Sequence, residues 1–600
     1  MMDLQELLFP NMETCPTFEM YFRTNEGSKR AWADSRLGAI RVPRWCALEL
    51  DTYFNSFSVG KWRKYTRLKT LRLRLELSGA FRVQLVHWQK LKGACEKTVL
   101  AERVCESAQR QAFEIDFLGE LPARGIVAAS LYAVGENCAF YGGAYVTDAD
   151  EGDLNPVDIA LDICTYKREK YVERNIAMLK RDILDDLACE LGDHLEVFIC
   201  DNGRTLERDL FRDDRVRVLP NRNVGGAGGF TRGMIEAIDS PRHFSHVLLM
   251  DDDVLVNPDA LLRTYRLLRL LKPEYAGKTV AGALMRLDDR CVQYENAAVW
   301  TGEYVPIALK GDLDMRKVDS VVSNEQEETA SYSGWWFSCI PMAKIDNDNL
   351  PLPLFVHRDD IEFGMRTGSD ILTLNGVCIW HETFDNKYAS SLLYYEVRND
   401  LILNALRLPK YPAIGNARTF LRRSVGNIVR YRYGNCALMR RGLDDFLAGP
   451  DKLIVTDPEA LNAEIMAASD VLKPVEELDM PFDEASHEAG IEKRKDFVEM
   501  ARLFFLNGLF LPARGTAVVN IATSWPRNFY RKKAVLNYDE TTGKGFVSRR
   551  DFRASVSALL KAFGAAWRLL RGYDAAAKRY REAEPILTSR SFWNEYLGLK

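Results

Sequence analysis

The sequence predicts an α/β domain on a largely parallel sheet, preceded by a β-rich module and followed by a mainly helical region. Three observations carry this. From about residue 155, short apolar strands alternate with segments of helical spacing, the βαβ pattern of a parallel sheet. Before it, the strictly alternating runs at 71–77 and 81–85 mark antiparallel strands with one buried face. After about residue 390, apolar residues recur at helical spacing instead. A chain of 600 residues is too long for one core, and the pattern changes place divisions at 1–152, 153–400 and 401–600.

In the first module, Ser78-Gly79 between the two alternating runs reads as a hairpin turn, and further strands follow at 113–117 and 125–133. Together they predict a β-sandwich or jelly roll. Tyr53, Phe54, Phe57 and Trp62 could stack on sugar rings, but fit core packing better. In the second module, 157–164 is a strand, and Val172, Ile176, Leu179, Ile183 and Leu187 then recur at helical spacing. Strands follow at 195–200 and 215–219. Each strand end offers a polar group: Thr165 and Arg168, Asp201, and Asn223. Ligands of α/β sheets bind at this carboxyl edge.

Next comes Asn221-Arg-Asn-Val-Gly-Gly-Ala-Gly-Gly-Phe230. Its glycines, Gly226 among them, would let the backbone approach a ligand, with a following helix aimed the same way. The run follows the third strand and not the first, so it is no dinucleotide fingerprint. The strand at 247–250 then ends in Asp251, Asp252 and Asp253. Adjacent carboxylates repel unless a cation or basic groups neutralise them, and such oxygens suit Mg²⁺ or Mn²⁺. A solvated acidic turn closed by Asn257-Pro258 explains an isolated triplet equally well.

Further on, Trp335 and Trp336 could be core or a stacking wall for a sugar, and Asp359 and Asp360 open a helix, where a carboxylate is either a cap or a general base. His381 ends the strand at 376–380, where a neutral imidazole could complete a metal site. In the helix at 552–573, Phe552, Val556, Leu559, Leu560, Phe563, Trp567 and Leu570 share one face, and the charges are Arg553, Lys561, Arg568 and Arg571. Such a helix fits docking on an anionic membrane or packing on its own body.

Composition narrows the classes. With 81 Lys plus Arg against 85 Asp plus Glu, a net charge of -4 gives no case for a nucleic-acid partner. The twelve cysteines form no C-x-x-C pair, which sets zinc and redox chemistry aside. No apolar run reaches the ~18 residues of a membrane span, and the first residues lack a signal-peptide core, so a cytoplasmic enzyme is expected.

Taken in order, the segments 165–168, 201–203, 223–230, 251–253, 335–336, 359–360 and 380–381 resemble the family-2 inverting glycosyltransferases of GT-A fold, in particular the bacterial galactofuranosyltransferases that build galactan. The resemblance implies Asp251, Asp253 and His381 as ligands of Mn²⁺ or Mg²⁺. It implies Arg168, Asp201 and Asn223 near the uridine of a UDP-sugar, with Asp252 facing the donor. Asp360 takes the place of the general base, with Asp359 beside it, and Glu295, Trp335 and Trp336 line the sugar subsites. The implied partners are UDP-galactofuranose, a glycan or lipid-linked glycan acceptor, the inner face of the plasma membrane, and a second copy in a homo-oligomer. Two alternatives stand beside this reading: the same mechanism with another nucleotide-sugar donor, and a non-catalytic carbohydrate-binding scaffold.

Overall fold

The computed structural model describes residues 1–25, 30–117, 119–368, 370–383, 388–484, 487 and 506–599. Its N-terminal part is a 9-stranded sheet organised around one long strand, Arg72–Leu91. One edge of this strand pairs along its length with Ala94–Asp116; the other pairs with Cys138–Thr147 through its first half and Ile126–Ala133 through its second. Serving two partners in turn, the strand splits the sheet into leaves that curl over a common core. Ser78-Gly79 is therefore no hairpin turn. Gly79, at φ 89°, takes up a bulge inside a continuous strand, because pairing on both edges outweighs the local turn signal. Tyr53, Phe54, Phe57 and Trp62 are all fully buried, which makes them core and not a sugar platform.

The central sheet is 10-stranded. Val216–Pro220, Leu195–Asp201, Ile159–Thr165 and His246–Asp251 run parallel in that order, and Ser338–Pro341 and Thr279–Arg286 continue it antiparallel. Register aligns Thr165 with Asp201, Asp201 with Pro220 and Cys164 with Asp251, so four strands end level on one edge. One apolar cluster runs from Leu4 in the first sheet to Trp380 in the second, and Arg263 crosses the seam to the Phe54 carbonyl at 3.3 Å.

The glycine run is not a loop before a helix; it is the first turn of helix Gly225–Asp239 itself. An added Cβ would stand 1.6 Å from the Phe355 carbonyl oxygen at Gly225, 1.8 Å from Val224 at Gly228 and 2.1 Å from the Cys164 sulfur at Gly229. These glycines bring the helix against protein and not against a ligand. Gly226 alone of the four faces a site carboxylate, Asp359, at 3.3 Å.

Helices Leu392–Arg407, Ala413–Ile428, Tyr433–Ala448 and Phe552–Leu587 pack together around a second core. A 4-stranded sheet of Lys473–Pro474, Lys544–Arg549, Ala534–Asp539 and Thr516–Asn520 lies among them, outside the helical expectation. Helix Arg590–Leu597 returns to the central domain, where Trp593 is fully buried against the glycine-rich helix. The long helix buries its small face, Ala562, Ala565, Ala566 and Ala577, and turns Phe552, Leu560, Phe563 and Trp567 outward at 50–66% exposure. Of these, Phe552 meets the Phe510 ring edge-on at 5.8 Å between centroids.

Alanine in a helix interior normally stabilises by about 1 kcal/mol over glycine. Gly229→Ala is expected to reverse that sign and cost about 1–3 kcal/mol, because its methyl meets Cys164. Denaturant unfolding checks this, and an unchanged or raised midpoint would show that the helix can lift off the strand freely.

Candidate active site

The level strand edge presents the acid triplet, and a second ladder brings the histidine to it. Leu255 pairs with Trp380 and Val256 with Ile379, which sets His381 opposite the end of the triplet. His381 Nε2 lies 3.0 Å from Asp253 Oδ1, and one ligand atom each of Asp251, Asp253 and His381 falls within 4.8 Å of the others. Two carboxylates and an imidazole at that spacing fit one divalent cation. Burial pushes Asp251 up to about 7, with His381 opposing and the neighbouring carboxylates adding to the rise.

Asp252 turns the other way. Its carboxylate accepts from Thr165 Oγ1 at 2.7 Å and from Arg168 Nη1 at 3.2 Å, and Arg168 also pairs with Asp253. Arg168 thus spans two members of the triplet and offsets part of their repulsion. Asp201 is fully buried, and its carboxylate accepts the backbone N–H groups of Gly203, Thr205 and Leu206 at 2.7–2.9 Å. These three bonds hold the loop at 203–206 against the strand end. Asn223 is likewise turned to its own backbone, accepting from the Gly225 N–H at 3.2 Å.

Beyond the triplet opens a cavity of about 1730 Å³, lined among others by Gly226, Asp251, Glu295, Trp335, Trp336, Asp359 and Asp360. Asp359 and Asp360 begin helix Asp359–Thr367. Burial, followed by the charge of its neighbour, raises Asp359 well above the carboxylate range, while Asp360 is raised by burial only to about 6, held down by the Ile361 N–H and the Arg358 guanidinium. Glu295, 7% exposed, is pushed up to about 8 by burial and by Asp360. Two carboxyls lining one cavity are thus both raised by burial, Glu295 further than Asp360. Trp335 packs edge-on between Phe230 and Phe363, and the Trp336 indole donates to the Gly282 carbonyl at 3.1 Å; both rings are anchored walls.

Of the thirteen residues singled out from the sequence, seven line this cavity, and Arg168, Asp252, Asp253 and His381 join it through contacts at the triplet. Asp201 and Asn223 stand behind it. Residues the sequence did not flag also shape the site. Tyr294, Tyr304 and Tyr332 line the cavity, while Asn202 and Asn221 hydrogen-bond to each other and to the carbonyls of Gly225 and Gly228. Only the position of Asn202 and Asn221 beside the Asp201 turn and the glycine run could have marked them.

Comparison with known proteins gives the class. A family model for the glycosyltransferase-like family 2 matches residues 156–392, and one for the galactofuranosyltransferase 2 N-terminal domain matches residues 4–119. The central domain is similar to the family-2 glycosyltransferases and has a GT-A fold, and the chain is a glycosyltransferase. Its relatives narrow the branch. The galactofuranosyltransferase GlfT2 of Mycolicibacterium smegmatis is 28% identical over 613 residues, 95% of this chain and 92% of its own. That of Mycobacterium tuberculosis is 26% identical over 619 residues, 95% of this chain and 93% of its own. A mannosyltransferase from Pyrobaculum calidifontis, solved with GDP-Man and Mn²⁺, aligns at TM-score 0.27 and 13% identity over 52% of this chain and 86% of its own, too slight a likeness to argue from.

Because Glu295 binds its proton more tightly folded than unfolded, the stabilisation is complete below its ordinary 4.5 and is lost as the pH climbs through about 8. Glu295→Gln mimics the neutral acid and does not titrate. Denaturant unfolding in EDTA is expected to show equal stability at about pH 4 and a growing advantage for the variant towards about pH 9. Parallel curves across that range would mean that Glu295 is solvated and ordinary.

Proposed function

We propose that the enzyme transfers galactofuranose from UDP-galactofuranose to a hydroxyl of a glycan or lipid-linked glycan, inverting the anomeric centre. The observation that carries this reading is a large cavity lined by the Asp359–Asp360 pair and by Asp251, which groups with Asp253 and His381 at metal-ligand spacing. The names of its relatives support the choice of sugar.

Asp360 is the general base. At about 6 it is ionised at neutral pH yet basic enough to take the acceptor proton as the oxygen attacks the anomeric carbon. Neutral Glu295 donates a hydrogen bond to a sugar hydroxyl, and Trp335 and Trp336 supply an apolar wall for the ring. Asp251, Asp253 and His381 hold the cation, and Mn²⁺ suits the set better than Mg²⁺ because one of its donors is an imidazole. When bound, that cation supplies the positive charge that stabilises the departing diphosphate. Arg168 keeps Asp252 and Asp253 in place, and Asp201 shapes the loop beside the nucleotide without touching it. One displacement, with Asp360 taking the acceptor proton, inverts the anomeric centre.

The outward face of helix Phe552–Leu587 adds a membrane contact. Phe552, Leu560, Phe563 and Trp567 stand exposed among Arg553, Lys561, Arg568 and Arg571, a composition that suits an anionic lipid surface. Ala566 and Leu570 of the same helix line the cavity, so the lipid would lie at its mouth. Among the described residues no helix is long and apolar enough to cross a membrane, which leaves a peripheral contact at the inner face of the plasma membrane.

UDP release from UDP-galactofuranose and from UDP-galactopyranose, measured with a galactofuranosyl oligosaccharide acceptor, tests the donor. Metal-dependent release from the furanose, abolished by EDTA, is expected. Release from the pyranose instead would move the enzyme to another donor, and silence with both would favour the carbohydrate-binding scaffold. For the helix, Phe563→Ser with Trp567→Ser is expected to cut sedimentation with phosphatidylglycerol vesicles by about tenfold, a loss of buried apolar area worth roughly 1.4 kcal/mol or more. Unchanged sedimentation would remove the membrane contact.

A further inference from the structure

We propose that Asn399 and Asp400, on helix Leu392–Arg407, are positioning residues for the transfer reaction, holding the turn at 356–358 that aims Asp359 and Asp360 into the cavity. This rests on the reading of Asp360 as the base. The turn is costly in itself. His357 and Arg358 are consecutive residues in the left-handed region, at φ 65° and 77°, where a Cβ crowds the backbone, and such strain persists only where the surroundings over-determine it. Helix Asp359–Thr367 begins at the next residue, so the peptide planes of the turn fix the direction in which the two carboxylates leave the backbone.

The surroundings do over-determine it. Asn399, fully buried, donates through Nδ2 to the carbonyls of both Val356 and His357, each at 2.9 Å. At the very next residue, Asp400 Oδ1 accepts from Arg358 Nε at 2.7 Å. The same guanidinium donates through Nη2 to the Tyr304 carbonyl at 2.7 Å and lies over the Trp300 ring at 5.1 Å. Arg423, from helix Ala413–Ile428, reaches the other oxygen of Asp400 at 3.3 Å. Arg358 is thus the joint between the base-bearing turn and the loop whose Tyr304 lines the cavity, and helix Leu392–Arg407 holds that joint from behind.

A buried ion pair is weak evidence for stability, since an apolar or neutral pair of the same shape often folds as well. Retaining one here is better explained by geometry than by folding energy. That distinction makes the test. Asp400→Asn alone leaves buried cations short of a counter-charge, so loss of activity could be loss of fold. Arg358→Gln combined with Asp400→Asn removes both charges and keeps two groups able to hydrogen-bond. It also takes away the guanidinium that acts on Asp360, so its kcat counts for positioning only where Asn399→Ala shows the same direction of loss. Asn399→Ala removes only the neutral contacts to the turn and leaves the ion pair intact.

The experiment compares thermal midpoint, kcat and donor KM for these three variants and for Asp360→Asn. Expected is a double variant with a midpoint near wild type, donor KM within about threefold, and kcat down about 100-fold, the size of effect that a misplacement of about 1 Å produces. Asn399→Ala should lose about tenfold in kcat with donor KM unchanged, and it decides the matter should the double variant fail to fold. A folded double variant or Asn399→Ala turning over within threefold of wild type sinks the positioning role, as does a change confined to donor KM. Asp360→Asn reads the base separately: if it turns over normally the base assignment falls, whatever the turn variants do.

Discussion

Six carboxylates, Asp251, Asp252, Asp253, Glu295, Asp359 and Asp360, act on one another across a single partly buried volume, and much of the structure exists to keep them there. Like charges at such density repel, and burial penalises each of them further. Relief comes in different ways at different members. Arg168 and Thr165 satisfy Asp252; His381 stands against Asp253; Arg358 restrains Asp360; burial and neighbouring charge raise the pKa of Glu295 and Asp359. What relief the side chains leave undone at Asp251 and Asp253 is the affinity of the site for a cation. Residues of one chemical type are thus given different charge environments within one volume.

That arrangement depends on close approach. Helix Gly225–Asp239 lies against strand Ile159–Thr165 only because no side chain intervenes at Gly229 or Gly233, and against the 355 segment only because none intervenes at Gly225. The 355 segment leads directly into the turn that bears Asp359 and Asp360. A glycine run that resembles a phosphate loop in the sequence therefore sets the distance between the triplet and the base through protein contacts. The C-terminal part reinforces the same geometry from the other side, since Trp593 packs on the glycine-rich helix and helix Leu392–Arg407 grips the turn.

Much of the site was legible because its residues are local in sequence. An apolar strand ending in three aspartates, an aspartate pair at a helix start and a histidine closing a strand each carry their chemistry on adjacent positions. The N-terminal strands were legible by alternation, but not their connection: Ser78-Gly79 has the composition of a turn, and only pairing on both edges of Arg72–Leu91 turns it into a bulge. Asp201 shows the converse. Its residue type and strand-end position fit a nucleotide contact, yet three backbone N–H groups claim its carboxylate, and no sequence pattern announces which partner a carboxylate will take. The outward face of helix Phe552–Leu587 was visible as a stripe, but a stripe does not say which side faces the protein; the alanines opposite it do.

By itself the sequence determined the order of β, α/β and helical parts, because periodicity along a short stretch suffices for that, and it placed the aspartate triplet, the aspartate pair and His381 at element ends. Only the tertiary structure decided that the Leu255 to Trp380 ladder brings His381 to Asp253, that Glu295 and Asp360 share one cavity and shift apart in pKa, and that Asn399 and Asp400 hold the turn behind the base. Burial and charge proximity are properties of a volume, assembled from segments far apart in the chain, and periodicity along one segment does not encode them.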